Sequence, residues 1–461
     1  MIVAQRNQAM TQATPGVSTN RSSEALVKRL KTAVTAALFG LAIPAIAAAE
    51  ELTIVTVNNG HMIEMQKLAG FFVNDNPDIT INWVTLDEGT LRERVTADIA
   101  SNGGEYDVMT IGMYEAPIWG ARGWLKPLSF GASYDTTDLL PAIRDGLSHE
   151  GQLYAAPFYG ESSMVMYRAD LVRRAGMSIS DTPTWEEIRQ VAAAIHNPSQ
   201  GVYGICLRGK PGWGDNMALV TTIANSFGAQ WFEMDWQPSL GSQQWRDAIN
   251  FYVDLLQNYG PPGADKMSFN EILALYTQGS CGMWVDATIA ASFITDPDRS
   301  TVANQIAFAQ APSQVTSKGA NWLWAWALAV PDGAANPQAA ARFIEWATSR
   351  EYISLVGRRN GWGAVPTGTR QSTYSNPSFQ RAATFAAAEL AAISSAAPND
   401  STLNPSPYTG VQFAAIPEFQ EIGSVVAELV TSALRGDITV DAALALAQVE
   451  ADQRMRAAGY Y

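Results

Sequence analysis

Residues 52–111 read LTIVTVNNGHMIEMQKLAGFFVNDNPDITINWVTLDEGTLRERVTADIASNGGEYDVMTI, and the fold follows from how that stretch alternates. Leu52 to Val57 is a β-branched run that stops at Asn58-Asn59-Gly60. Met62, Met65, Leu68, Ala69 and Phe72 then recur at helical spacing until Pro77, as one apolar helix face requires. A second strand, Ile79 to Leu86, breaks at Asp87-Glu88-Gly89; a second helix runs from Leu91 to Ser101; a third strand ends at Ile111. Strands alternating with helices predict a parallel α/β sheet. Ligands of such sheets bind at the loops beyond the carboxyl ends of strands, which is where Asn58, Glu88 and Tyr114 stand.

Further along, Trp322, Trp324 and Trp326 alternate with Leu323 and Ala325 before a turn at Pro331-Asp332-Gly333. A strand sends residues two apart to one face, so the three indoles are expected to share a side. Such a row suits a large aromatic core seam, or a platform for a ligand with apolar C–H faces. Trp322 and Trp324, nearer the loop, are the ligand candidates; Trp326, between two alanines, is assigned to packing.

The chain has 461 residues, more than one core usually serves, so two lobes are expected. A net charge of −14 argues against nucleic acid or an anionic membrane as partner. Lys28, Arg29 and Lys31 precede an apolar, Ala-rich run from Ala33 to Ala49, the pattern of a cleavable secretory signal peptide. The mature chain is then expected in the periplasm. No cysteine lies near the cleavage point, so lipidation is not expected. The two cysteines, Cys206 and Cys281, lie in strand-like runs; export favours a disulfide, the alternative being two buried thiols.

The chemistry of catalysis is sparse. There is no phosphate-binding loop or dinucleotide fingerprint, and Gly160-Glu161-Ser162-Ser163 lacks the flanking glycines of a nucleophile elbow. His61, His149 and His196 are scattered without metal-ligand spacing. No cofactor and no metal are expected. Glu88 and Asp286 suit acceptance of hydrogen bonds from ligand hydroxyls, and Arg359 suits donation to neighbouring oxygens. Each also has a plain structural reading: Glu88 in a helix's first turn, Asp286 as a helix cap, Arg359 on the surface beside Arg358. A pair of carboxylates also leaves open an exported carbohydrate-active hydrolase with Glu88 and Asp286 as its acids.

Four segments carry a family resemblance: Asp107 to Glu115, Pro157 to Ser163, Met283 to Thr288, and Asn321 to Val330. Through them the mature chain resembles the extracellular solute-binding proteins of ABC sugar importers, nearest the sorbitol/mannitol type. The resemblance implies a type II, maltose-binding-protein-like fold: two α/β lobes closing on a ligand in the cleft. It places residues 50–157 and 306–348 in lobe 1 and residues 158–305 and 349–461 in lobe 2, after a leader of residues 1–49. Pro157 to Gly160 would cross between lobes. Asn58, Glu88, Tyr114 and the tryptophans would face the cleft from lobe 1; Tyr159, Trp213, Asp215, Asp286 and Arg359 would face it from lobe 2, and Gly363 completes the candidate ligand set. The implied ligand is a linear sugar alcohol, with a cyclic mono- or disaccharide as the alternative. The implied partner is a membrane permease, with the binding protein itself a monomer.

Overall fold

The computed structural model describes residues 49–461; the expected leader lies outside them but for Ala49. The opening stretch folds as its alternation predicts. Strand β1 (Glu50–Val57) leads to helix α1 (Gly60–Asp75), β2 (Ile79–Leu86), α2 (Glu88–Ser101) and β3 (Val108–Ile111). β1 pairs in parallel with both β2 and β3. The Asp87 side chain accepts from the Thr90 backbone N–H at 3.3 Å, a cap that starts α2 at Glu88. Glu88 and Arg92 therefore stand one helical turn apart.

The sheet is not wholly parallel. Strand β4 (Ala155–Glu161), β5 (Ser163–Arg168), β6 (Met283–Ala287), β7 (Ile306–Gln310) and β8 (Trp324–Ala329) complete the set that matters. The first sheet runs β2-β1-β3-β8-β4, with β8 antiparallel to both its neighbours. The second runs β6-β5-β7 and is antiparallel throughout. Each sheet centres one lobe. β8 is buried along its whole length, so its apolar second half is core.

These pairings move the expected lobe boundaries. β4 stays in the first sheet through Glu161 and the chain changes sheet at Ser162, not at Pro157 to Gly160. Tyr159 therefore belongs to the first lobe. Residues 306–310 pair with β5 in the second sheet, so the return crossing follows Gln310. The helix Arg350–Asn360 packs on the first lobe, where Tyr352 meets Phe158 and Trp346. At this junction the Gly160 N–H donates to the Thr367 carbonyl at 2.8 Å. A Cβ on Gly160 would strike the Gly368 backbone, and one on Gly368 the Gly160 backbone. Gly368 also has φ +74°, a conformation open to glycine at little cost.

Cys206 and Cys281 form a disulfide with Cα atoms 5.9 Å apart. It ties the segment 203–208 along the start of β6, where Tyr203 bridges Cys281 and Cys206 bridges Trp284. The bond closes a sequence separation of 75 residues. Replacing both cysteines with serine is expected to cost about 2–4 kcal/mol, read as a lower urea midpoint; an unchanged midpoint would mean that the strand pairing alone holds the segment.

Candidate functional site

The cleft between the lobes contains a cavity whose empty space, open solvent at its mouth included, amounts to about 480 Å³. Its floor is the β4–β8 ladder. Tyr159 pairs with Trp326 and Glu161 with Trp324, and residues two apart on each strand face the same way. All four side chains line the cavity. The opposite face carries the small Gly160 and Ala325 pair. Trp322 also lines the cavity but stands before the strand. Its backbone N–H donates to Ser163 Oγ at 3.1 Å rather than into the ladder, so the strand starts two residues later than the alternation suggests.

Helix α2 supplies Glu88 and Arg92. Arg92 Nη2 donates to Glu88 at 2.9 Å and Nη1 to Glu115 at 2.5 Å. Its guanidinium lies 4.0 Å from the Trp213 ring and 5.0 Å from the rings of Trp324 and Trp326. Part of the indole wall thus holds an internal arginine by cation–π contact. Trp213 reaches this cage from the second lobe, so Arg92 and Trp213 meet across the cleft. Lys210 and Asp87, 3.8 Å apart, and Asn270 and Asn58, 3.3 Å apart, also join the two lobes at its mouth.

From the second lobe comes Arg208, two residues beyond the disulfide. Its Nε and Nη2 bind the two carboxylate oxygens of Asp286 at 2.8 and 2.6 Å. Asp286 additionally accepts from Trp284 Nε1 at 2.9 Å and from the Ala287 N–H at 2.6 Å. It is 0% exposed and does not line the cavity. The expectation that Asp286 meets the ligand is therefore revised: its oxygens are already occupied, and what it presents to the cavity is a fixed Arg208.

Glu161 is the contrasting carboxylate. It lines the cavity, is buried, and among the described residues has charged neighbours but no hydrogen-bond partner. Burial pushes its carboxyl up to about 8, with Arg208 opposing and Asp286 and Glu88 reinforcing the shift. Two indole N–H groups of the lining, Trp213 Nε1 and Trp322 Nε1, are likewise buried without a partner. Asn59 Nδ2 donates to the Tyr159 hydroxyl at 2.9 Å. Glu161, Trp213 and Trp322, each with unused hydrogen-bonding capacity, thus all border one cavity. Unmet buried polar groups are costly, and a ligand rich in hydroxyls satisfies both kinds.

Of the sequence candidates, Glu88, Tyr159, Trp213, Trp322 and Trp324 come together around the cavity. Trp326, assigned to packing, lines it as well. Asn58 sits at the exposed rim. Asp215 lies behind the wall, where Ser268 Oγ donates to it; burial and Glu88 push its carboxyl up to about 6. Tyr114 is buried in an aromatic layer beyond the cavity, its hydroxyl donating to the Ile416 carbonyl at 2.9 Å. Arg359 is exposed and covers Phe71 of α1 at 4.9 Å, on the first lobe rather than the second. Gly363 sits near Ala382. Neither approaches the cavity.

Sequence reasoning missed Asn59, Arg92, Glu161, Arg208, Phe269 and Gln412, all in the lining. Two signals were present: Arg92 follows Glu88 by one helical turn, and Glu161 follows Tyr159 by two residues on a strand. His61 is buried beside Ser292 at 3.1 Å, and burial, with Arg299, lowers its ring to about 3. Among the described residues no group of three or more His, Cys, Asp or Glu is placed to hold a metal ion, and no helix is long and apolar enough to cross a membrane.

Two α/β lobes enclosing a polar, indole-walled cavity define a solute-binding architecture. The chain belongs to the bacterial extracellular solute-binding protein family, whose model matches residues 59–353. It is 51% identical over 422 residues to the mannitol-binding protein of Pseudomonas aeruginosa, covering 91% of this chain and 97% of that one. An ABC transporter solute-binding protein from Agrobacterium vitis S4, solved with bound D-mannitol, is similar at TM-score 0.88 and 53% identity, covering 89% of this chain and 99% of that one. A maltose-bound protein of T. maritima shares the fold at TM-score 0.75 and 19% identity, covering 88% of this chain and all of its own (100%).

Proposed function

We propose that this protein captures a linear hexitol, D-mannitol foremost, and delivers it to the membrane permease of an ABC importer. Glu161 carries the reading: a buried carboxylate without a hydrogen-bond partner, set between indoles in a closed cleft. The relatives that share about half of this sequence bind, or are named for binding, mannitol. A hexitol offers a hydroxyl on every carbon and an unbroken C–H edge. Glu161 and Glu88 accept from its hydroxyls, and Arg208 and the free indole N–H groups of Trp213 and Trp322 donate to its oxygens. Trp324 and Trp326 cover its carbons. Both arginines are already paired with carboxylates, so a neutral ligand fits without unbalancing charge.

The protein acts in the periplasm as a monomer, without cofactor and without catalysis. Its lobes turn about Ser162 and the later crossings, and the closed form is the one that the permease engages. The hydrolase alternative draws no support from the geometry, since Glu88 and Asp286 each neutralise an arginine and Asp286 is wholly buried. Calorimetric titration of the mature protein with D-mannitol, D-sorbitol, D-mannose and maltose tests the reading. Mannitol is expected to bind tightest, at about micromolar Kd or below. Absence of mannitol binding alongside binding of a cyclic sugar would overturn it.

A further inference from the structure

At two points the lobes meet where one of them has no side chain. Gly60 opens α1 in the first lobe, and a Cβ there would stand 2.5 and 2.6 Å from two ring carbons of Phe293. Phe293 belongs to the short helix Ala291–Ile294 that follows β6 in the second lobe. Gly214 lies in the second-lobe loop that carries Trp213. A Cβ there would strike Glu88 Oε1 and stand 3.0 Å from Arg92 Nε and Nη2 in the first lobe. At each glycine the three atoms nearest that position all belong to the opposite lobe. Carbon atoms in contact rest about 3.5–4.0 Å apart, so neither place admits a methyl group with the cleft closed as it is.

The opposing side chains are held in place. The Phe293 ring is buried, lies 4.8 Å from the His61 ring and carries the Arg299 guanidinium at 5.4 Å. Beside it His61 Nε2 and Ser292 Oγ, 3.1 Å apart, span the same seam. Glu88 Oε1 accepts from Arg92 Nε and Nη2 at 3.2 and 2.9 Å, and Arg92 is fixed in turn by Glu115 and the indoles. Neither lobe needs glycine at these places for its own folding. Neither residue has a left-handed φ. Gly60 is the first residue of a helix, where alanine is the better former. The Gly214 carbonyl accepts from Arg208 Nη1 at 3.0 Å, a bond that alanine keeps.

We propose that Gly60 and Gly214 set how far the cleft closes. Each leaves room for the opposite lobe, and a methyl group at either holds the lobes about 1 Å short of their present approach. The inference rests on the hexitol reading of the cavity. Glu161, Trp324 and Trp326 belong to the first lobe and Arg208 and Trp213 to the second, so a cleft held ajar cannot bring both halves onto one hexitol. Affinity includes the stability of the closed form, and a residue that never touches the ligand then controls it.

Mannitol calorimetry, with urea denaturation of the ligand-free proteins, decides the matter. Gly60→Ala is expected to weaken mannitol binding about ten- to hundredfold while its ligand-free urea midpoint equals or exceeds that of the wild type. Gly60 does not line the cavity, so this loss reports closure and not contact. Removing the opposing ring should relieve it: in a Phe293→Ala background, Gly60→Ala is expected to cost less than about twofold. Gly214→Ala is expected to weaken mannitol by a factor similar to that of Gly60→Ala alone, and it decides the question if Gly60→Ala does not fold. Wild-type affinity in both alanine variants overturns the proposal while leaving the hexitol reading intact. An equal loss from Gly60→Ala with and without the Phe293 ring overturns it too. So does a ligand-free midpoint that falls together with affinity, since the glycines would then serve their own lobes. Absence of mannitol binding by the wild type removes the hexitol reading, and the closure role with it.

Discussion

Asp286→Ala is expected to cost about 3–5 kcal/mol of folding stability, and to remove most ligand binding as a consequence. The reason is what stays behind. Arg208 is 5% exposed, and its charge is matched by the two Asp286 oxygens. Removing one member of a buried pair leaves the other desolvated and uncompensated, which is far worse than losing an ion pair in water. Trp284 Nε1 and the Ala287 N–H lose their acceptor in the same stroke. Glu161, a cavity carboxylate that among the described residues has no hydrogen-bond donor and feels the Arg208 charge, would then compete for Arg208 and spoil the arrangement that meets the ligand. Urea denaturation and mannitol calorimetry on the variant report the two effects separately. Wild-type stability with weakened binding would mean that Asp286 serves the ligand directly and that Arg208 holds its place without it. Restoring charge balance with Arg208→Met on top of Asp286→Ala should recover much of the stability and none of the affinity.

The opening strands and helices were legible because their signals are local. Alternating β-branched runs, an apolar helix stripe and a capping aspartate need no distant partner to be read. The indole row was legible in the same way, through the strand period. The site's charged residues were not, because their meaning depends on what packs against them. Glu161 ends its strand and Asp286 stands one residue before the end of its own, and nothing in either segment says that one faces an arginine and the other a hole. Arg208 looks like any loop arginine until the disulfide lays its segment beside β6. Arg359 stands on the first lobe for the converse reason: its helix returns there, a return fixed by Tyr352 packing on Phe158, far away in sequence, and on nearby Trp346; Gly363 lies in the turn that follows that helix. The alanines beside Trp326 do not mark it as packing, because they face the other side of the strand while Trp326 lines the cavity.

Glu161→Gln should move stability and affinity in opposite directions, and the pH profile separates them. Glu161 has its carboxyl raised to about 8 from an ordinary 4.5, so folding favours the protonated form. The unliganded wild type therefore has its full stability below about pH 4.5, loses it progressively as pH climbs toward 8, and levels off above. The span between those values corresponds to roughly 4–5 kcal/mol. Glutamine keeps the shape but does not titrate. The variant should match the wild type near pH 4.5, lack the decline attributable to Glu161, and exceed wild-type stability by roughly 4 kcal/mol at pH 9. Ligand binding runs the other way. Hydroxyls of a polyol donating to the carboxylate supply the hydrogen bonds that its charged form lacks in the empty cavity, so binding pulls its pKa down and releases a proton. Wild-type affinity is expected to rise from pH 6 to pH 8, and the variant to show a flat profile with a loss of about 1.5–3 kcal/mol at the upper end. Chemical denaturation of the unliganded proteins between pH 4.5 and 9, with calorimetry in buffers of different ionisation enthalpy, measures both. Parallel stability curves for the two proteins would mean that Glu161 stays charged in the empty cleft, and the cleft is then poised for a cation rather than for a neutral polyol.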